Sequence, residues 1–285
     1  MPKAQDFLTK HLSACRVCPR NCKVNRFEGA KGTCGGAREI LVSSISKHFG
    51  EEPPLVGKQG SGTIFFSGCN MKCVFCQNYE ISQGLEGFPA SEEELARMMM
   101  KLQAAGAHNV NLVSPTHFAP QIVVALKIAK NLGLEIPVIY NSGGYDSVKT
   151  LKLLDGFIDI YMPDAKYADP DIAFKYSGVK NYPQRMKTAI KEMHRQVGNL
   201  VIQDGIATKG LIVRHLVLPN GLAGSREIID FVARDIGRNT YFNLMRQYRP
   251  CFKAGEFKEL QRYVGPAEYV ELYTYAKEKG LRLSR

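Results

Sequence analysis

From Gly62 onward the chain repeats one pattern: a short apolar run, a few small or polar residues, then an amphipathic stretch of helical period. Six such runs predict strands: Thr63–Phe66, Asn109–Val113, Pro137–Tyr140, Phe157–Met162, Gly210–Val217 and Thr240–Leu244. The stretches between them, Ser91–Ala105, Pro120–Leu132, Ser147–Leu154, Pro183–Gln196 and Ser225–Arg234, predict helices. Ser91 with Glu94 three residues later is a capping-box pattern at the head of the first of these. Runs such as LIVRHLVL have little polar alternation, so their strands are expected to be covered on both faces, as in a parallel sheet curled into a partial (β/α)6 barrel. A last amphipathic segment, Ala267–Lys279, predicts a terminal helix, and Met98–Met100 reads as helix packing.

Residues 1–58 break that rhythm. They carry four cysteines, glycines at 29, 32, 35 and 36, and the Glu51–Pro54 break, with Ile40–Ile45 as a short strand or pairing segment among them. The expected organisation is an α/β fold with a cysteine-rich metal or iron–sulfur lobe over 1–58, a core barrel over 59–250 and a helical extension over 251–285. Length and composition agree with a folded chain: 285 residues, 45% apolar and 23% charged, with mean hydropathy −0.19. No run approaches the ~18–20 apolar residues of a membrane span. The opening MPKAQDFLTKHL lacks the features of a signal peptide, so the expectation is a cytoplasmic protein without a membrane partner. The net charge of +11 favours acidic partners, but the basic residues are scattered and interleaved with acidic ones, which argues against nucleic acid.

Seven of the eight cysteines fall in the first 76 residues of the chain, and with no export signal the grouping points to metal rather than disulfides. Cys15, Cys18, Cys22 and Cys34 have C-x2-C-x3-C-x11-C spacing, which closes a four-thiolate site for zinc or an iron–sulfur cluster. Cys69, Cys73 and Cys76 follow the first barrel strand with C-x3-C-x2-C spacing, at the strand end where barrel active sites assemble. Three thiolates leave one iron of a 4Fe–4S cluster open to an exogenous ligand.

The segment SGCNMKCVFCQN, with Phe75 before the last cysteine, resembles the cluster motif of the radical S-adenosylmethionine (SAM) superfamily. The resemblance implies a 4Fe–4S cluster on Cys69, Cys73 and Cys76, and SAM bound at the open iron and reductively cleaved to a 5′-deoxyadenosyl radical. Over residues 60–250 the chain most resembles pyruvate formate-lyase activating enzyme and its PflX-like relatives. That likeness puts Asn141 and Ser142 of PVIYNSGGYDS near the SAM carboxylate. In IDIYMPDAKY it makes Asp164 a ligand for a monovalent cation and Lys166 a carboxylate partner, and it matches Arg214 of IVRHLVLP to an arginine of those relatives. Where the activases carry Gly-Gly-Glu this chain has NLVSPTHFAP, so Ser114 and Thr116 are the residues expected to line the methionine pocket. His117 reads either as a structural residue or as a substrate-binding or proton-relay group.

Cys251, in NLMRQYRPCFKA, is a buried small residue, an extra ligand or a hydrogen-atom donor or acceptor, and Tyr248 nearby is expected to approach the adenine or the substrate. The resemblance thus implies an oxidoreductase that activates a glycyl radical enzyme and takes electrons from a flavodoxin or ferredoxin-like donor. The alternatives are a radical SAM enzyme acting on a small molecule, peptide or RNA, and a non-catalytic zinc or nucleic-acid-binding module.

Overall fold

The structure, a computed structural model, describes residues 2–284. The chain opens with α1 (Pro2–Leu12), crosses the four-cysteine segment and enters β1 (Ile40–His48), α2 (Pro53–Val56) and β2 (Ser61–Phe66). After the three-cysteine loop come α3 (Tyr79–Ser82), β3 (Phe88–Ala90), α4 (Glu92–Ala104), β4 (Val110–Val113), α5 (Ala119–Asn131), β5 (Val138–Ser142), α6 (Val148–Leu151) and β6 (Ile160–Pro163). The remainder is α7 (Pro170–Ser177), α8 (Tyr182–Val197), β7 (Val201–Gln203), β8 (Ile206–Leu216), α9 (Ser225–Phe231), β9 (Tyr241–Met245), α10 (Pro266–Glu278) and β10 (Arg282–Leu283).

All six predicted strands are present and run parallel in the order β2–β4–β5–β6–β8–β9, so the expected partial barrel of six β/α units is the core of the fold. Ser91 caps α4 with the full capping box, its hydroxyl accepting from the Glu94 amide while the Glu94 carboxylate accepts from the Ser91 amide. Three expectations change. Ile40–Ile45 is part of a longer strand that pairs antiparallel with β2 from Val42 to His48, because its alternating buried and open positions suit a sheet edge; it belongs to the main sheet, not to the cysteine lobe. Ser225–Arg234 is α-helical only to Phe231 and continues as a π turn over Val232–Ile236, and Ser147–Leu154 keeps a single α turn.

Strand alternation divides the side chains between two cores. Val138, Tyr140, Tyr161, Val213 and Phe242 face the helices and join the main core. Ile139, Ile160, Met162, Ile212 and Tyr241 form a separate cluster in the barrel interior, closed by Leu55 of α2. Pro53 and Pro54 open α2 where no backbone N–H is needed, and the Leu55 carbonyl accepts from the Asn109 side-chain amide at 2.8 Å. This plug seals the strands' N-terminal end, leaving the functional groups to collect at the other. Leu55→Ala should therefore lower the denaturation midpoint by an amount worth about 2–5 kcal/mol. Phe174→Ala, at a side chain 61% exposed, should stay within about 0.5 kcal/mol. Equal effects in a urea titration would contradict the plug.

Candidate functional site

At the end of β2 the chain turns at Gly68, whose φ of +89° and position 2.3 Å (for an added Cβ) from the Cys34 carbonyl leave room for glycine alone. The next ten residues lie in the loop that carries Cys69, Cys73 and Cys76. Its backbone is pinned by α7, through Lys72 N–H to Ser177 O at 3.1 Å and Val74 N–H to Tyr176 O at 2.9 Å, and by the C-terminal segment, through Lys253 N–H to Val74 O at 2.9 Å. The Cys69 sulfur accepts from the Met71 amide at 3.4 Å, the Cys73 sulfur accepts from the Ser177 hydroxyl at 3.0 Å, and Cys76 pairs with the Ser82 hydroxyl at 3.2 Å. Burial, followed by the neighbouring Cys73, pushes the Cys69 thiol up to about 12. Burial also raises Cys73, against the pull of the Lys166 ammonium. Thiols in this setting become thiolates when a shared cationic centre balances them.

The three cysteines line one cavity of about 230 Å³ whose opposite wall carries Ser114, Asn141, Ser142, Asp164, Lys166 and Arg214. Parallel register builds that wall: Asn141 pairs with Met162, and Asp164 with Arg214, so successive strands present their inward positions side by side. One Asp164 carboxylate oxygen accepts from Arg214 Nε at 3.0 Å and the other from Lys166 Nζ at 2.5 Å. Arg214 Nη2 also donates to Asn141 Oδ1 at 2.7 Å. Burial alone would raise the Asp164 carboxyl, but Arg214 and then Lys166 outweigh it and hold it below the usual carboxylate range. Burial likewise works against the Arg214 charge, which Asp164, Glu52 and Glu51 together more than restore. The monovalent cation expected on Asp164 would meet a carboxylate whose two oxygens are already committed to a guanidinium and an ammonium.

Of the expected residues, Ser114 and Phe75 are in the cavity lining, while Thr116, Tyr248 and Cys251 stand outside it. Ser114 takes a left-handed conformation with φ +59°. Thr116 turns away and gives its hydroxyl to the buried Asp146 at 2.7 Å. Phe75 lines the cavity and packs edge-on against Tyr167 and Tyr248. Tyr248 lies behind it, 2% exposed, with its hydroxyl donated to the Leu260 carbonyl at 2.7 Å. Cys251 also stands outside the lining, its thiol donating to the Phe75 carbonyl at 3.2 Å. His117 is a structural residue: burial pushes its imidazole down to about 3, and Nε2 meets the Ser67 carbonyl at 2.8 Å.

Asp146 had no motif to announce it. Its carboxylate accepts from Thr116, Tyr140 and Ser142 at 2.7, 3.0 and 2.7 Å, which fixes Ser142 at the cavity wall. The only sequence signal was an acid five residues beyond a buried strand's Asn141. Met71 and Met245 also line the cavity and are apolar company for a thioether or sulfonium group.

The donor set fits a 4Fe–4S cluster and SAM: three thiols on one face, and a wall of ammonium, guanidinium and amide groups for a carboxylate on the other. Among the described residues no three His, Cys, Asp or Glu side chains gather as the donors of a single ion. Residues 63–208 match the Radical SAM superfamily. The uncharacterized protein MJ0674 of Methanocaldococcus jannaschii is 36% identical over 279 residues, which cover 94% of this chain and 76% of that protein. Two solved structures share the fold: Streptococcus suis SuiB bound to precursor peptide SuiA (TM-score 0.52, 15% identity, 75% of this chain and 46% of that one) and HydG, a maturase of the [FeFe]-hydrogenase (TM-score 0.53, 15% identity, 78% and 49%). The chain spans about half the length of these two structures.

Asp164→Asn removes the counter-charge of two half-buried cations, and losing their charged hydrogen bonds should cost about 1.5–3 kcal/mol. Because the folded-state carboxyl is held low, its contribution is complete above pH ~4 and is lost as pH falls through the depressed folded value. The stability gap between wild type and Asp164→Asn in chemical denaturation should therefore be wide at pH 7 and shrink in acid; a gap that ignores pH would contradict the network.

Proposed function

Since the chain belongs to the radical SAM superfamily, whose enzymes use a 4Fe–4S cluster and SAM, we propose that it abstracts a hydrogen atom from a polypeptide, as the activase of a glycyl radical enzyme does. The observation that carries the reading is the cavity itself, with Cys69, Cys73 and Cys76 on one side and the Asp164–Lys166–Arg214 network on the other. Together the bound cluster and SAM supply a one-electron cleavage of the sulfonium and with it a carbon radical reactive toward C–H bonds.

The chain's own residues bind, orient and exclude. Cys69, Cys73 and Cys76 hold three irons. Lys166 and Arg214, both held by Asp164, would face the methionine carboxylate, and Asn141, which is bonded to Arg214, and Ser142 would fix its orientation. Phe65, Met71, Leu216 and Met245 keep the lining partly apolar, which limits water around a reactive carbon. Gln77 and Asn78 are exposed and also line the cavity, so a chain segment reaching its mouth touches the cluster loop. A glycyl radical enzyme as partner, an acidic flavodoxin or ferredoxin-like donor suited to the +11 charge, and a cytoplasmic setting belong to the same proposal. A small-molecule, peptide or RNA substrate is the second reading. It is favoured by Ser114–Thr116 standing where the activases carry Gly-Gly-Glu.

After anaerobic reconstitution and dithionite reduction the protein should convert SAM to 5′-deoxyadenosine, and Cys73→Ala should abolish this. Lys166→Met should weaken SAM binding about tenfold or more, the value of a lost charged hydrogen bond. Deuterium passing from a glycine-labelled glycyl radical enzyme into 5′-deoxyadenosine would support the activase reading; cleavage without transfer would turn it toward the smaller substrates, and no cleavage would overturn both.

A further inference from the structure

We propose that Cys15, Cys18, Cys22 and Cys34 bind a second, fully protein-ligated iron–sulfur cluster beside the catalytic loop. The segment between α1 and β1 has one 3-10 turn, Arg26–Glu28, as its only helix or strand, yet it is folded tightly around these thiols. Cys15 N–H reaches Val24 O at 2.9 Å and Lys23 N–H returns to Cys15 O at 2.8 Å, which brings the first and third cysteines together. Cys22 stands between two non-glycine residues in the left-handed region, Asn21 at φ +50° and Lys23 at φ +58°; each such residue costs about 1–3 kcal/mol, so the turn needs something to hold it. Cys15, Cys18 and Cys34 are buried, and all four are free thiols.

A buried cation already waits for negative charge. Arg26 is 2% exposed and directs Nη2 at the Cys34 sulfur, 3.6 Å away, while Nη1 donates to the His117 carbonyl at 2.6 Å and the buried Nε has no partner. Beside neutral thiols that guanidinium is uncompensated; beside four thiolates on a cluster it is paired. Gly36 N–H also donates to the Cys34 sulfur at 3.4 Å. Side chains at Gly32 or Gly36 would press on the sulfurs, since an added Cβ would stand 3.1 Å from Cys22 Sγ or 3.4 Å from Cys34 Sγ. One zinc ion crowds four sulfurs at ~2.3 Å from a single point. A cubane spreads four sulfurs over separate irons, as the cysteines of the catalytic loop must be spread. The second centre would sit close to the first, since Arg20, two residues beyond Cys18, donates from Nε to the carbonyl of Asn70, the neighbour of Cys69, at 2.8 Å.

The test uses the full chain with Cys69, Cys73 and Cys76 all changed to Ala, so its outcome is independent of SAM chemistry. After anaerobic reconstitution this variant should retain about four iron and four sulfide per chain, against about eight of each in wild type. Adding Cys22→Ser should remove the remaining iron and its visible absorbance. In case the triple variant does not fold, Cys22→Ser alone in the otherwise wild-type chain should lower iron from about eight toward four with the SAM-responsive signal retained. Zinc in place of the second set of iron, or about four iron in wild type unchanged by Cys22→Ser, would overturn the proposal.

Discussion

One carboxylate holds two half-buried cations, and the site is arranged around it. Asp164 sits where β6 leaves the sheet, and its two oxygens meet Arg214 from β8 and Lys166 two residues on. Burial opposes both charges, and Asp164 is the foremost group that offsets it, with Glu52 and Glu51 adding to its effect on Arg214 and Cys73 to its effect on Lys166. The consequence is a fixed positive wall, flanked by Asn141 and Ser142, aimed across a cavity at three thiols. A site of this kind is preorganised: its charges are in place before any ligand arrives.

The barrel makes that arrangement affordable. Inward positions alternate along each parallel strand, so the layer of Ile139, Ile160, Ile212 and Tyr241 forms an apolar floor between Leu55 and the charged layer. On the other side the N-terminal segment is locked to the catalytic loop. Arg20 Nε donates to the Asn70 carbonyl at 2.8 Å, Arg26 to the His117 carbonyl, and Thr150 to the Val17 carbonyl at 2.5 Å. Leu8, Leu12, Cys15 and Val17 share the main core with the barrel helices. The cysteine-rich segment is thus packed as part of one body with the barrel, and Gly68 is the residue that lets Cys34 come so near.

Period and punctuation made the six barrel strands legible, because buried parallel strands leave unbroken apolar runs between capped helices. Cysteine spacing made the cluster loop legible for a different reason: ligands to one small object must lie close in sequence or be brought close by a turn. Long-range pairing was invisible. Nothing in Ile40–His48 says that its partner is β2, and nothing in Asp146 says that three hydroxyls, two from β5 and one from the turn after β4, converge on it. Thr116 and Tyr248 look like pocket residues by position along the chain, and only the direction of each hydroxyl bond shows that they support the site from behind.

The central claim is that an open iron, held by Cys69, Cys73 and Cys76, faces the positive wall made by Asp164, Lys166 and Arg214. Low-temperature electron paramagnetic resonance of the anaerobically reduced protein, recorded before and after adding SAM, tests it directly. The account predicts a cluster signal whose shape changes when SAM binds, saturating with SAM concentration. A cluster signal indifferent to SAM at every concentration would contradict it.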